Sequence, residues 1–181
     1  MTDKNCINFA SSQYNSVTMG NEMKPDSLLK NWNPTFSDTN PEGYVDTAKF
    51  TYAYKDSKYP VIDMDSIDNY LNIAYQNGMK MRYHVFVWHK QTPQWFFKEN
   101  FNKNGAYVSK EVMDGRLEYL VRNVMTHIYS YKNSEGVYVG REVIDNWDMA
   151  NEYTHNNDGG EKSYWDEVYY PDYEYNEKKH S

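Results

Sequence analysis

The 181-residue sequence contains a single cysteine, Cys6, which excludes an internal disulfide and any cysteine-based metal cluster. Histidine is sparse as well. His84, His89, His127, His155 and His180 show no HExxH-type spacing, so there is no case for a catalytic zinc, and no cofactor of another kind is called for. Positive charge is in the minority: 19 Lys and Arg face 26 Asp and Glu, for a formal net charge of −7. That balance argues against a nucleic-acid backbone as partner. No apolar run approaches the length of a membrane span, so no membrane partner is expected. The opening stretch MTDKNCINFASSQYNS has no apolar core of signal-peptide type, and the chain therefore carries no visible address. Hydrophobic residues make up 39% of the chain, near the low end for a globular domain, yet aromatics reach 17%, with 19 Tyr and 5 Trp. Disordered chains are usually poor in aromatics, so a folded protein is expected. Flat rings fill cores, and they also pack against the apolar faces of sugars.

The hydrophobic pattern alternates between two periods. A helix is predicted over residues 64–77, with Asp63 capping its first amides, Ile67, Tyr70, Leu71 and Ala74 on one face, and Gly78 as the stop. A second is predicted from Ser109 as cap to about residue 129, with Val112, Met113, Leu117, Leu120, Val121, Val124 and Ile128 as its core-facing stripe. Gly115 weakens it slightly. Each helix is followed by a β-branched and aromatic run, residues 80–88 and 142–150, and a shorter strand candidate spans 14–19. The order strand, long loop, helix, strand, loop, helix, strand predicts an α/β protein with parallel strands joined by right-handed crossovers. Residues 28–62 form a long polar connection with Pro34, Pro41 and Pro60. A loop of that length is usually functional or poorly ordered.

Three polar and aromatic clusters fall at the ends of the three predicted strands: TMGNEMK at 18–24, HVFVWHKQ at 84–91 and WDMANE at 147–152. In parallel α/β proteins those ends and their loops form the active-site face. The stretch YNSVTMGNEMKPD at 14–26 resembles the second-strand motif of family 10 glycoside hydrolases, typically FNSVTPENEMKWD-like. GMKMRYHVFVWHKQTPQWFF at 78–97 resembles the third-strand motif RGHTLVWHSQTPDWFF, and NWDMANE at 146–152 resembles the fourth-strand WDVVNE motif. Order and spacing agree, and the match runs from about Phe9 to Tyr170.

The resemblance implies an endo-β-1,4-xylanase on a TIM (β/α)8 barrel, with xylan or xylo-oligosaccharides as partners and an extracellular setting. It implies that Glu152 is the acid/base of a retaining reaction, aided by partial burial and a neighbouring carboxylate. By the same match, Asn151 would bond the 2-hydroxyl of the reacting sugar. His84, Trp88 and Gln91 would line the glycone side, the last three converging only if the chain bends after Trp88. Asn21 and Lys24 would be further sugar-binding residues. Two positions depart from the pattern. Gly20 stands where a sugar-binding glutamate is usual, and Pro25 where a Trp often follows the motif lysine; Glu22 matches a later motif glutamate and does not fill the missing role. Residues 1–181 are expected to form an incomplete family 10 catalytic domain covering strands two to four, without the seventh-strand glutamate that serves as nucleophile. Asp148, Glu161, Asp166 and Glu167 do not sit at a suitable strand end. A complementary barrel segment, or self-association through open sheet edges, is the expected further partner. Three other readings stay open: a non-catalytic β-1,4-glycan-binding remnant, a defective gene product with no function beyond its ancestry, and a parent enzyme acting on β-1,4-glucan.

Overall fold

The computed structural model describes residues 3–152 and 162–172; His155, His180, Glu161 and the tail beyond Asp172 lie outside them. In chain order the elements are α1 (Lys4–Gln13), β1 (Ser16–Thr18), α2 (Pro25–Leu28), β2 (Phe36–Ser37), β3 (Tyr59–Pro60), α3 (Asp65–Gln76), β4 (Lys80–Val87), α4 (Lys110–Ser130), α5 (Val139–Val143), β5 (Ile144–Ala150) and α6 (Tyr164–Tyr169). Strands β1, β4 and β5 make a parallel sheet in that order, with Val17 opposite Met81 and His84 opposite Asp148. This is the succession that the alternating periods predict, and right-handed crossover geometry places α3 and α4 as the connections.

Local chemistry explains the element ends. Asp3 accepts the amides of Asn5 and Cys6 at 2.8 and 3.1 Å and starts α1. Pro25 opens α2, where its missing N–H costs nothing. Asp63 accepts the Asp65 amide at 3.1 Å, and Gly78 leaves α3 at φ +63°, a conformation that glycine takes without strain. Strand β4 lies between two neighbours. Met81, Tyr83 and Val85 are completely buried on one of its faces, whereas Arg82 is exposed and His84 half-buried on the other.

The segment 142–150 is only partly a strand: residues up to Val143 belong to the short helix α5, and β5 begins at Ile144. Gly140 permits this. A Cβ there would meet the Ile128 carbonyl oxygen at 2.0 Å, so α5 is packed onto the end of α4 at backbone distance. Helix α4 also differs from its apolar stripe. Met113, Leu120, Val124 and Ile128 are buried as expected, but so are Arg116, Tyr119 and Asn123, while Val112, Leu117 and Val121 are half-buried. The helix is covered on a second side by the long connection. The amide of Val45 donates to Asn123 Oδ1 at 2.6 Å, the amides of Thr51 and Tyr52 donate to Glu118, and Tyr54, Tyr59 and Tyr119 pack ring against ring. Arg116, with no exposure, grips both Asp56 oxygens at 2.6 and 2.7 Å and donates to the Phe96 and Lys98 carbonyls.

Residues 28–62 are thus built into the fold. Most of them clad the outer side of α4, and residues 30–33 come round to the strand-end face. Strand pair β2–β3 is antiparallel and links the two regions.

Candidate active site

The three sequence clusters meet at the C-terminal ends of β1, β4 and β5, where a parallel sheet presents its loops. Glu152 follows β5. The Asn151 amide still donates to the Val87 carbonyl at 2.9 Å, so sheet pairing holds the chain up to the residue before Glu152. Glu152 itself then turns into the left-handed region, at φ 50°. For a non-glycine residue that conformation is uncommon, and such departures concentrate at functional sites. Its Oε2 accepts the Trp88 Nε1–H at 2.8 Å and lies 4.0 Å from His89 Nε2. The carboxylate is 45% exposed, which leaves it reachable by a ligand.

Trp88 is fixed from two further sides. Its carbonyl accepts the Trp165 Nε1–H at 2.9 Å, and Lys24 Nζ stands 4.6 Å from the centre of its ring, within cation–π range. Lys24 is nearly buried and donates to Gln91 Oε1 at 2.7 Å and Asn21 Oδ1 at 3.2 Å, while Gln91 Nε2 donates to the same Asn21 oxygen at 2.9 Å. Gln91 reaches them because the chain reverses after Trp88, with Gln91 at φ 52° and its carbonyl accepting the Asp26 amide. Five of the seven candidate residues, Asn21, Lys24, Trp88, Gln91 and Glu152, therefore form one continuous set of contacts, and Asn151 adjoins it through its backbone.

His84 sits apart from that set, one turn of the pleat deeper. Its Nδ1 lies 2.9 Å from Asp148 Oδ2, and Arg82 donates to Asp148 Oδ1 at 2.6 Å. An ionised carboxylate only accepts, so the imidazole carries a proton on Nδ1. Burial pushes the Asp148 carboxyl up, but the hydrogen bonds and charges of Arg82 and His84 outweigh it and hold the group below the usual carboxylate range. Glu22 faces the fold: it accepts the Asn21 amide at 2.9 Å and the Tyr70 hydroxyl at 3.3 Å, and the backbone bond is the main reason its carboxyl lies below the usual range. It takes no part in the Lys24–Gln91 cluster. A Cβ at Gly20 would meet nothing within 4 Å, so the departure there leaves open space.

Sequence reasoning missed His89, Asp148 and Trp165. His89 and Asp148 lie inside the quoted motifs, next to or between the residues singled out, so proximity was the available signal. Trp165 comes from α6, and nothing in its local sequence ties it to Trp88. No group of His, Cys, Asp and Glu among the described residues has the arrangement of a metal site.

The model of glycosyl hydrolase family 10 matches residues 1–176 of the chain. Endo-1,4-beta-xylanase A of Butyrivibrio fibrisolvens is 41% identical over 175 residues, which is 93% of this chain and 38% of that protein. The bifunctional endo-1,4-beta-xylanase XylA of Ruminococcus flavefaciens is 35% identical over 165 residues, or 89% of this chain and 15% of that protein. Among solved structures, the carbohydrate-binding and catalytic modules of a Clostridium thermocellum endo-1,4-beta-D-xylanase, complexed with xylohexaose, superpose with a TM-score of 0.63 at 28% identity, covering 92% of this chain and 30% of that one. An intracellular xylanase of Thermoanaerobacterium saccharolyticum, a mutant bound to xylotetraose, gives 0.61 at 25% identity, covering 92% and 41%. The three parallel strands and their helices correspond to part of the TIM barrel of such enzymes.

Proposed function

Since the chain belongs to glycosyl hydrolase family 10, we propose that it is the acid/base-bearing part of a retaining endo-1,4-β-xylanase, acting on xylan or xylo-oligosaccharides. One observation carries this reading: the contact path from Glu152 through Trp88 and Lys24 to Asn21 and Gln91, on the strand-end face. It supplies an exposed carboxylate for proton transfer, an aromatic ring, and amide and ammonium donors suited to hydroxyls. Glu152 protonates the leaving oxygen and then activates water, and the Trp88 N–H positions its carboxylate. Asn151, His84, Gln91, Lys24 and Asn21 bind sugar.

Retention needs a second carboxyl group about 5–5.5 Å from the first, to attack the anomeric carbon. Among the described residues, the hydrogen-bonding and charged neighbours of Glu152 are an indole and an imidazole. We place the nucleophile on sequence that completes the barrel beyond β5, and we assign the complete catalytic domain, of which 1–181 is a part, to the extracellular breakdown of polysaccharide.

The test uses the 181-residue chain. In native gels containing soluble xylan its migration is expected to be retarded, and a Trp88→Ala variant is expected to migrate freely. Neither should release reducing sugar. Migration unaffected by xylan would contradict the reading. Stronger retardation by soluble β-1,4-glucan than by xylan would turn it towards a glucanase.

A further inference from the structure

Beside the Lys24 cluster lie two grooves of about 570 and 500 Å³, the first of which is also lined by His89. Both are lined by Asp26, Asn31 and Gln91, which makes them neighbours. Two features there are unexplained by the fold.

The first is Trp32. It is 83% exposed, more than any other large hydrophobic side chain among the described residues, and it edges the second groove. It stacks on no other ring among the described residues. A ring so placed does nothing for the core, and its exposure forgoes the burial that stabilises most tryptophans. Its turn is nonetheless held firmly. The Asn31 amide donates to the Asp26 carbonyl at 2.9 Å and the Asn33 amide to the Lys30 carbonyl at 2.8 Å. Lys30 turns the chain at φ 48° and pairs with Asp63 at 3.4 Å. The indole therefore stands exposed on a hydrogen-bonded turn.

The second is Asp26. Its Oδ1 is buried and has no hydrogen-bond partner among the described residues, an arrangement that costs free energy unless something donates to it. Burial pushes its carboxyl up, which reports the same deficit. Gln91 does not relieve it: its amide nitrogen donates to Asn21, and its oxygen accepts from Lys24. That buried oxygen is closed to a ligand; what the groove presents is the Trp32 ring and a polar lining that includes Asn21, Asn31 and Lys30, which call for a flat apolar face and for hydroxyls. A pyranose unit has both.

We propose that Trp32 marks a further subsite for a distal sugar unit of the chain bound at Glu152, the indole stacking on the ring while the polar lining of the groove meets its hydroxyls. It extends the substrate-binding surface through the connection 28–62, and it rests on the assignment of the substrate as a β-1,4-linked xylose chain.

Calorimetric titration of the 181-residue chain with xylobiose and with xylohexaose tests it. Trp32→Ala is expected to weaken xylohexaose binding about ten-fold and to leave xylobiose binding unchanged. Trp32→Phe should restore part of the loss. The thermal midpoint of Trp32→Ala should equal that of the unsubstituted chain, because the side chain is exposed. Equal xylohexaose affinity in Trp32→Ala and the unsubstituted chain would overturn the subsite and leave the xylanase assignment standing. No binding of either oligosaccharide by the unsubstituted chain would overturn both.

Discussion

Glu152 combines an uncommon backbone conformation, φ 50°, with a carboxylate tied to Trp88 and open to solvent. Among the described residues it is held by hydrogen bonding from Trp88 alone, which suits the proposed role of giving up and regaining a proton. Asp148 is its opposite. With Arg82 on one oxygen and His84 on the other, it is fully occupied and serves to orient the imidazole. Because the folded-state pKa of Asp148 is depressed, its contribution to stability is present above the unfolded value of about 3.9. That contribution disappears as pH falls through the still lower folded value. Urea midpoints measured by circular dichroism from pH 6 to pH 2 should therefore fall more steeply below about pH 4 for the unsubstituted chain than for Asp148→Asn. Parallel curves would show that the Arg82–Asp148–His84 group does nothing for stability. His84 was legible as a candidate from the motif alone, but its partner was not, because Asp148 lies on a different strand and only the register of β4 with β5 brings them together.

At the scale of elements, helix α4 shows what periodicity conveys and what it hides. Its apolar stripe marked Met113, Leu120, Val124 and Ile128, all of which are buried. It could not mark Arg116 or Asn123, which are buried because the connection 28–62 satisfies their polar atoms. Gly115 looks like a weak point in a helix, yet a Cβ there would lie 2.6 Å from the Ala53 carbonyl oxygen. Gly115→Ala should thus destabilise by about 1–3 kcal/mol through overpacking, although helix propensity alone favours alanine by roughly 1 kcal/mol. Arg116→Met should lose about 3–5 kcal/mol, since it leaves the Asp56 carboxylate without its partner. Chemical denaturation of both variants checks the pair. A stabilised Gly115→Ala would mean that the connection is not seated on α4. The strand order and the meeting of the three clusters were readable in the sequence because they depend on local pattern. The course of the connection was not, because it depends on long-range polar contacts that no local period encodes.

On the scale of the molecule, the described residues form a three-stranded parallel sheet whose outer strand β5 exposes Asp145, Asn146, Met149 and Ala150. Parallel strands are normally buried on both faces, and a barrel buries them by closing the sheet. The chain spans 38% of the Butyrivibrio xylanase that it matches, and the exposed side of β5 is where the remaining strands of a barrel would pair. On the proposed function, substrate binding and catalysis are separable: the residues proposed to bind sugar lie within this chain, whereas the double displacement needs a second carboxylate. The most direct measurement is proton NMR of xylohexaose cleavage, with the 181-residue chain alone and with it joined to barrel strands that carry a seventh-strand glutamate. The account predicts no product from the chain alone, a first product of β configuration from the completed barrel, and loss of that product on Glu152→Gln. Cleavage by the chain alone, or undiminished cleavage by the completed Glu152→Gln barrel, would contradict it.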